Sequence, residues 1–193
     1  MSQQVSFTAL QDGTKEDIVL LYALADDATQ DVPERILQTL EPLKSTFEGY
    51  QISRYEHSLQ AATRAYREGE SDEMIIAALL HDIGDFFAPY NAAEMAAATI
   101  RPYVSEKTYW IVKHHAIFQK YYCAHYLGGD RFAREKHQDS PYYQATIDFC
   151  DRYDQNSFDP NYDTLPLSFF EPIVRKIFAQ PQPQYQFIPK VDV

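Results

Sequence analysis

Residues 71–85 read SDEMIIAALLHDIGD, and the rest of the chain is best understood from this stretch. Ser71 is a typical helix N-cap, and two acids follow it where the positive end of the helix dipole favours them. The run IIAALL is apolar on every side, which predicts a helix that is buried on all faces. We expect this helix to end at Gly84, so that the polar doublet His81-Asp82 lies in the protein interior.

The buried doublet His81-Asp82 needs a partner. A polar group that is buried without one costs about 1–3 kcal/mol or more. Neutral imidazole and ionised carboxylate are ligands that a borderline divalent metal prefers, and the negative end of a helix favours a cation. The carboxylate of Asp82 can also bridge two ions. The doublet therefore indicates a site for Fe, Mn, Zn or Co, to which other helices contribute further ligands.

Helical spacing continues on both sides of this stretch. Apolar residues recur every three or four positions, and only six glycines occur in 193 residues. Asn91 with Glu94 resembles a capping box at the start of the next helix. The predicted helices cover 16–29, 31–46, 55–69, 72–84, 92–104, 106–127, 141–157 and 168–180. We predict an all-α helical bundle of about seven to nine helices, with an extended C-terminal tail over 180–193.

Length and composition limit the class of protein. A chain of 193 residues predicts a single domain over 1–193. The 17 basic and 28 acidic residues give a net charge of −11, which argues against a nucleic-acid partner. Because no segment approaches the roughly 20 apolar residues of a membrane span, we expect a cytoplasmic protein without a membrane partner. The two cysteines, Cys123 and Cys150, predict reduced thiols.

Histidines and acids recur within the predicted helices. His57 follows Glu56, and His114 and His115 form a pair in the longest predicted helix. A later helix offers three acids, and periodicity alone does not say which of them points inward; they are Asp148, Asp151 and Asp154. Separate helices can therefore bring imidazoles and carboxylates to one metal site.

The order His57, His81-Asp82 and a later Asp resembles the HD superfamily of metal-dependent enzymes. The resemblance covers about residues 47–160. The segments YEHSLQAA, LLHDIGD, KHHAIFQKYYC and RYDQNSFDP are most similar to the mixed-valent di-iron oxygenases of that superfamily, which include myo-inositol oxygenase and phosphonate-cleaving oxygenases. The resemblance implies a single HD-type domain.

The same resemblance implies a set of metal ligands. The ligands of one ion correspond to His57, His81, Asp82 and Asp154. Asp82 and His115 correspond to ligands of a second ion, and His115 is chosen over His114 from its distance to the Tyr122-Cys123 pair. Asp82 thus bridges the two ions.

One ligand of the oxygenases has no counterpart in this chain. Those enzymes have a further histidine between the doublet and the later histidine, where this chain has Asn91 and Ala92. We favour a capping role for Asn91 over a ligand role. The second ion is therefore expected to be weakly held or absent.

Positions that face the substrate in the oxygenases also differ. Tyr50 stands where the phosphonate oxygenases have a glutamate, and Gln119, next to Lys120, stands where they have a lysine. Asp85 replaces a lysine of inositol oxygenase. We predict catalytic roles for Asp82, for the Tyr50 phenol as a hydrogen-bond donor, and for Lys120. The basic residues that could meet an anionic substrate are Lys113, Lys120 and Arg54.

Three functions follow from these residues. The favoured one is an oxygenase with one or two Fe ions that acts on a small hydroxylated molecule. The first alternative is a phosphohydrolase, which needs a single Mn, Co or Zn held by the intact ligands. The second is a non-catalytic domain that binds a metal or a small ligand. The sequence leaves the substrate, the native metal and the oligomeric state open.

Overall fold

The computed structural model describes residues 4–46 and 48–186. These residues form α-helices, short 3-10 turns and one π-helical turn, with no strand among them. The α-helices are α1 (Lys15–Thr29), α2 (Val32–Leu40), α3 (Arg54–Arg67), α4 (Asp72–Leu80), α5 (Gly84–Phe87), α6 (Ala92–Ile100), α7 (Glu106–Cys123), α8 (Tyr143–Phe149) and α9 (Leu167–Phe178). The predicted all-α bundle of about seven to nine helices is confirmed.

Helix α4 lies at the centre of the described bundle. Residues 74–80 are all buried, as expected for a helix that is apolar in every direction. It packs against α3, α7 and α9. Because α4 is enclosed, the chain that leaves its C-terminal end carries His81 and Asp82 directly into the interior.

The structure corrects the predicted role of Gly84. Helix α4 ends at Leu80, four residues before the predicted end at residue 84, and Gly84 begins α5 instead. A Cβ atom on Gly84 would lie 2.2 Å from the carbonyl oxygen of Ala92. The glycine therefore permits the close approach of α5 and α6 rather than ending a helix.

The capping box predicted at Asn91 is wrong. Asn91 does precede α6, but its side chain makes no capping hydrogen bond. Its backbone, at φ −143° and ψ 37°, lies outside the extended region of an N-cap residue, so the amide does not reach the first turn. Ser53, at the start of α3, has the extended backbone and forms a complete capping box with Glu56.

Two other segments differ from the predicted ones. The long helix over 106–127 is split, since α7 is followed by a 3-10 turn at Ala124–Leu127 that ends at Gly128 with φ +74°. Of the tail predicted over 180–193, the part up to 186 contains a 3-10 turn at Pro183–Tyr185. Residues 187–193 lie outside the described residues.

The chain after α8 forms a π-helical turn over Cys150–Asp154. A π turn inserts one residue into the helical repeat, and therefore changes which side chains face inward. Asp154 is fully buried, whereas Asp148 and Asp151 are exposed. The turn thus selects one of three candidate acids for the interior.

Two further expectations concern cysteines and membranes. Cys123 is exposed and Cys150 buried, and both are free. Over residues 4–46 and 48–186, no helix combines the length and the apolar character needed to cross a bilayer.

Candidate metal centre

Side chains from four parts of the chain converge next to the end of α4. Helix α3 supplies His57 and helix α7 supplies His115, while Asp154 comes from the π turn. His81 and Asp82 follow α4 directly. All five side chains are buried, and the structure brings together all five residues predicted as metal ligands.

The first donor group consists of His57, His81, Asp154 and the Oδ2 atom of Asp82. The two Nε2 atoms lie 3.1 Å apart, and each is 3.4–3.6 Å from Oδ1 of Asp154. Oδ2 of Asp82 is 3.3 Å from Nε2 of His57 and 3.2 Å from Nε2 of His81. An ion with bonds of about 2.0–2.2 Å to tetrahedral ligands holds those ligand atoms about 3.3–3.6 Å apart. The five separations that involve His57 or His81, from 3.1 to 3.6 Å, are close to these values and suit one ion.

The second donor group consists of His81, Asp82 and His115. Nε2 of His115 lies 3.4 Å from Oδ1 of Asp82, which is the carboxylate oxygen not used by the first group. Asp82 thus presents one oxygen to each group. This is the arrangement of a carboxylate that bridges two ions.

The three histidines share one tautomer. In each ring Nδ1 faces a backbone carbonyl oxygen; the pairs are His57 with Ser157 at 2.9 Å, His81 with Ala78 at 2.8 Å and His115 with Val112 at 2.6 Å. Because a carbonyl only accepts hydrogen bonds, Nδ1 carries the proton in every ring. The lone pair of each Nε2 therefore points into the centre, as in histidines that bind metals.

Two features of the first donor group call for a cation. The Nε2 atoms of His57 and His81 face each other at 3.1 Å, which is repulsive unless a proton or a metal ion lies between them. In addition, Oδ2 of Asp154 is buried and has no hydrogen-bond partner. A divalent ion would relieve both, so the residues present fit a metal.

The electrostatics agree with a cation site. Burial alone would lower the pKa of His57 and of His81, but the neighbouring carboxylates of Asp154 and Asp82 raise both pKa values above normal. Burial alone would raise the pKa of Asp82, yet His81 and Arg54 hold that pKa well below its usual value. The carboxylates therefore stay ionised and draw a positive charge into the centre.

Arg54 contacts the centre directly. Its Nη2 atom lies 3.0 Å from Oδ2 of Asp82, and its Nε donates to Oδ2 of Asp85 at 2.8 Å. Its side chain is only 12% exposed. The sequence predicts Arg54 only as one of three possible partners for an anionic substrate. Its pairing with Asp82 joins residues distant in the chain, and no sequence spacing signals it.

Gln119 is a second residue whose contact with a candidate ligand the sequence did not predict. Its Nε2 donates to Oδ1 of Asp154 at 2.5 Å and holds that carboxylate from the side of α7. The available signal was its position, because a residue four places after His115 lies on the same helix face.

The profile of the HD domain family matches residues 54–156, more than half of the chain. The chain belongs to the HD domain family. All residues of both donor groups, from His57 to Asp154, lie within the matched span of this HD domain. The predicted family is therefore confirmed.

Part of the chain is also similar to a curated protein. The chain is 30% identical over 87 residues to the [1-hydroxy-2-(trimethylamino)ethyl]phosphonate dioxygenase (glycine-betaine-forming) of Leisingera caerulea. The match covers 39% of this chain and 44% of that relative. The chain thus spans less than half the length of the relative it matches.

Tyr50, just before the matched span, and Lys120, within it, lie further out than the donor groups. The half-exposed ring of Tyr50 stacks on Phe158 at 4.6 Å, and Phe158 in turn stacks on His57 at 4.4 Å. Lys120 is exposed on α7, next to Gln119. The catalytic roles of Tyr50 and Lys120 stay predictions.

His114 of the HD domain points away from the donor groups. Its ring contacts Trp110 at 4.3 Å and His137 at 4.6 Å. Burial, together with His137 and nearby lysines, lowers the pKa of His114 to about 4. The structure therefore places His115, and not its neighbour, at the second donor group.

Proposed function

We propose that this HD-domain protein is a metal-dependent enzyme, and that it acts as a non-haem iron oxygenase on a small hydroxylated molecule. The observation that carries the proposal is the orientation of Asp82, whose two oxygens face two different donor groups. The name of the Leisingera caerulea relative, a phosphonate dioxygenase, supports the same reaction class.

The donor set suits iron. His57, His81, Asp82 and Asp154 would hold one ion, and Asp82 and His115 would hold a second. Imidazole with carboxylate is a common ligand set for non-haem iron, although Mn, Co and Zn accept it as well. Bound iron would supply the redox chemistry that side chains lack and that the use of dioxygen requires.

The chain's own residues orient and protect this centre. The carbonyl oxygens of Ser157, Ala78 and Val112 fix the three imidazoles, and Gln119 fixes the Asp154 carboxylate. The buried ligands exclude bulk water, which strengthens every electrostatic interaction within the centre. We assign Tyr50 and Lys120 to the outer, substrate-facing edge, where a phenol and an ammonium can donate hydrogen bonds to an anionic or hydroxylated molecule.

Oxygen consumption tests the proposal. The protein is loaded with Fe²⁺ under anaerobic conditions, and dioxygen uptake is recorded with 1-hydroxyphosphonates, 2-aminophosphonates and polyols. We expect uptake that depends on both iron and substrate, and that is lost in Asp82→Asn. The matched control is His114→Gln, which changes a neighbouring histidine outside both donor groups. Uptake that is equal in the protein and in Asp82→Asn would rule out the assignment.

A second candidate is a phosphohydrolase that uses a single Mn, Co or Zn. It is favoured by the first donor group, which offers four donors to one ion without the help of His115. Such an ion would supply hydrolytic chemistry. Release of phosphate from nucleotides by the Mn- or Co-loaded protein, without dioxygen uptake by the iron form, would establish this candidate over the oxygenase.

A further inference from the structure

Arg54 is a fixed positive charge inside the metal centre. It is the first residue of α3, where the capping box of Ser53 and Glu56 anchors the backbone. Its guanidinium bonds to the bridging Asp82 on one side and to Asp85 on the other. Because a guanidinium does not lose its proton in proteins, this charge is permanent. Any ion that Asp82 holds therefore has a cation as its neighbour.

The charges of the centre balance with one divalent ion. Asp82 and Asp154 contribute −2, which one ion of charge +2 cancels, and Arg54 with Asp85 forms a further neutral pair. A second ion would add +2 without a new carboxylate, since the second donor group adds only the neutral His115. Buried charge of one sign is strongly unfavourable at low dielectric.

The second donor group is also the poorer one in ligands. It has three protein residues, but the single free lone pair of His81, on Nε2, faces the first group, which leaves Asp82 and His115 for a second ion. Positions 91 and 92 hold Asn and Ala, neither of which offers an imidazole or a carboxylate. Arg54 bonds to Oδ2 of Asp82, which faces the first group, but its charge repels an ion at either group, and the ion with fewer ligands is the first to be lost.

We propose that Arg54, held in place by Asp85, sets the number of ions in the centre by weakening the second donor group. In this role the positive charge of Arg54 partly neutralises the Asp82 carboxylate, which a second ion would otherwise do. Arg54 is thus a specificity-determining residue for metal stoichiometry. The inference rests on the proposed function, because it requires that the two donor groups bind metal.

Binding of Mn²⁺ measures this effect without any turnover. Free Mn²⁺ is counted by electron paramagnetic resonance during titration of the full chain, and a pair of neighbouring ions is recognised by its exchange-coupled spectrum. We expect one tightly bound ion and a second, weaker one. In Arg54→Gln the dissociation constant of the second ion falls about tenfold or more, because the repelling charge is gone. Arg54→Lys, which keeps the charge, stays close to the original protein.

Asp85→Asn supplies the opposite change. It leaves Arg54 charged but removes the compensating carboxylate, so the dissociation constant of the second ion rises by about threefold or more. A merely structural role for the pair would shift both variants in the same direction. Opposite shifts in Arg54→Gln and Asp85→Asn therefore support the inference.

Two results would overturn it, and they have different meanings. If the protein binds one Mn²⁺ tightly and the second ion binds equally in Arg54→Gln, the inference fails while the proposed function stands. If the protein binds no Mn²⁺ at all, both fail. Circular dichroism checks that each variant is folded. If Arg54→Gln does not fold, Asp85→Asn alone tests the inference, and an unchanged dissociation constant of the second Mn²⁺ in that variant overturns it.

Discussion

The Nε2 atoms of His57 and His81 lie 3.1 Å apart, and both rings donate their Nδ1 protons to backbone carbonyls. This pair is unfavourable in an uncharged centre, because two lone pairs meet in a buried space. It becomes favourable when a cation lies between the rings. The geometry of these two residues thus links the fold of α3 and α4 to metal binding.

Removal of His81 or of Asp82 as a ligand should abolish tight metal binding. We expect His81→Ala and Asp82→Ala to weaken binding of Fe²⁺ or Mn²⁺ by about 100-fold or more, because His81 supplies a nitrogen to the first donor group and Asp82 supplies an oxygen to each group. Metal content after dialysis, measured by mass spectrometry, checks the result. His114→Ala serves as the control and should retain its metal. Unchanged metal content in both ligand variants would contradict the assignment of the site.

The metal-free protein should lose stability as the pH rises above neutrality. The folded-state pKa values of His57 and His81 are raised, so their contribution is fully present below the unfolded value of about 6.5 and is lost as pH rises through the raised pKa. Calorimetric melting between pH 6 and pH 9 in the presence of a chelator should show a falling melting temperature.

Bound Mn²⁺ should reverse this pH dependence. The ion takes the place of the protons on the imidazoles, so proton competition weakens binding at low pH and disappears as the pH rises. The stabilisation by Mn²⁺ is therefore expected to increase from pH 6 to pH 9. If the melting temperature depended on pH in the same way with and without Mn²⁺, the two histidines would not exchange a proton for a metal ion.

Asp154 shows where prediction from the sequence reached its limit. The helical period predicted a helix with three acids, but it did not say which acid is buried. The π turn at Cys150–Asp154 adds a residue to the repeat and shifts the inward face, and a constant period cannot describe that shift. Asp154 was chosen from the family resemblance and not from the physics of the helix.

The burial of α4 could be predicted from the sequence, whereas the ion pairs of Arg54 could not. The burial of α4 follows from its composition, since a helix that is apolar on all sides has no face for water. The pairing of Arg54 with Asp82 and Asp85 joins the start of α3 to the end of α4. Such a contact depends on how the helices pack, so the spacing of residues along the sequence does not predict it.

Gly84 should be the glycine whose substitution costs most. A methyl group there would overlap the backbone of Ala92, which cannot move without shifting α6, so we expect Gly84→Ala to lower the free energy of unfolding by about 1–3 kcal/mol or more. Gly69→Ala is the comparison, because position 69 is open but has φ +78°, and the cost there is about 1 kcal/mol. Urea unfolding measures both. Equal costs at the two sites would contradict the close packing of α5 on α6.

Position 92 offers a way to strengthen the second donor group. The backbone of Ala92 touches Gly84, two residues after Asp82, so a side chain at position 92 starts close to the doublet. The oxygenases that this chain resembles have a further histidine in this region, and we expect Ala92→His to supply the missing imidazole. The second Mn²⁺ should then bind about tenfold more tightly, which corresponds to about 1.4 kcal/mol.

The control for this change is Ala93→His. The next residue of a helix points about 100° away, so the same imidazole at position 93 should not reach the ion that position 92 reaches. Titration with Mn²⁺ distinguishes the two variants, and a gain in Ala92→His alone supports the placement. An equal gain in both would point to a general effect of an added histidine, and no gain in Ala92→His would mean that α6 does not face the second donor group.

Combining Ala92→His with Arg54→Gln tests whether the missing ligand and the neighbouring cation weaken binding of the second ion independently. Independent effects add in free energy, so the two gains in affinity should then multiply.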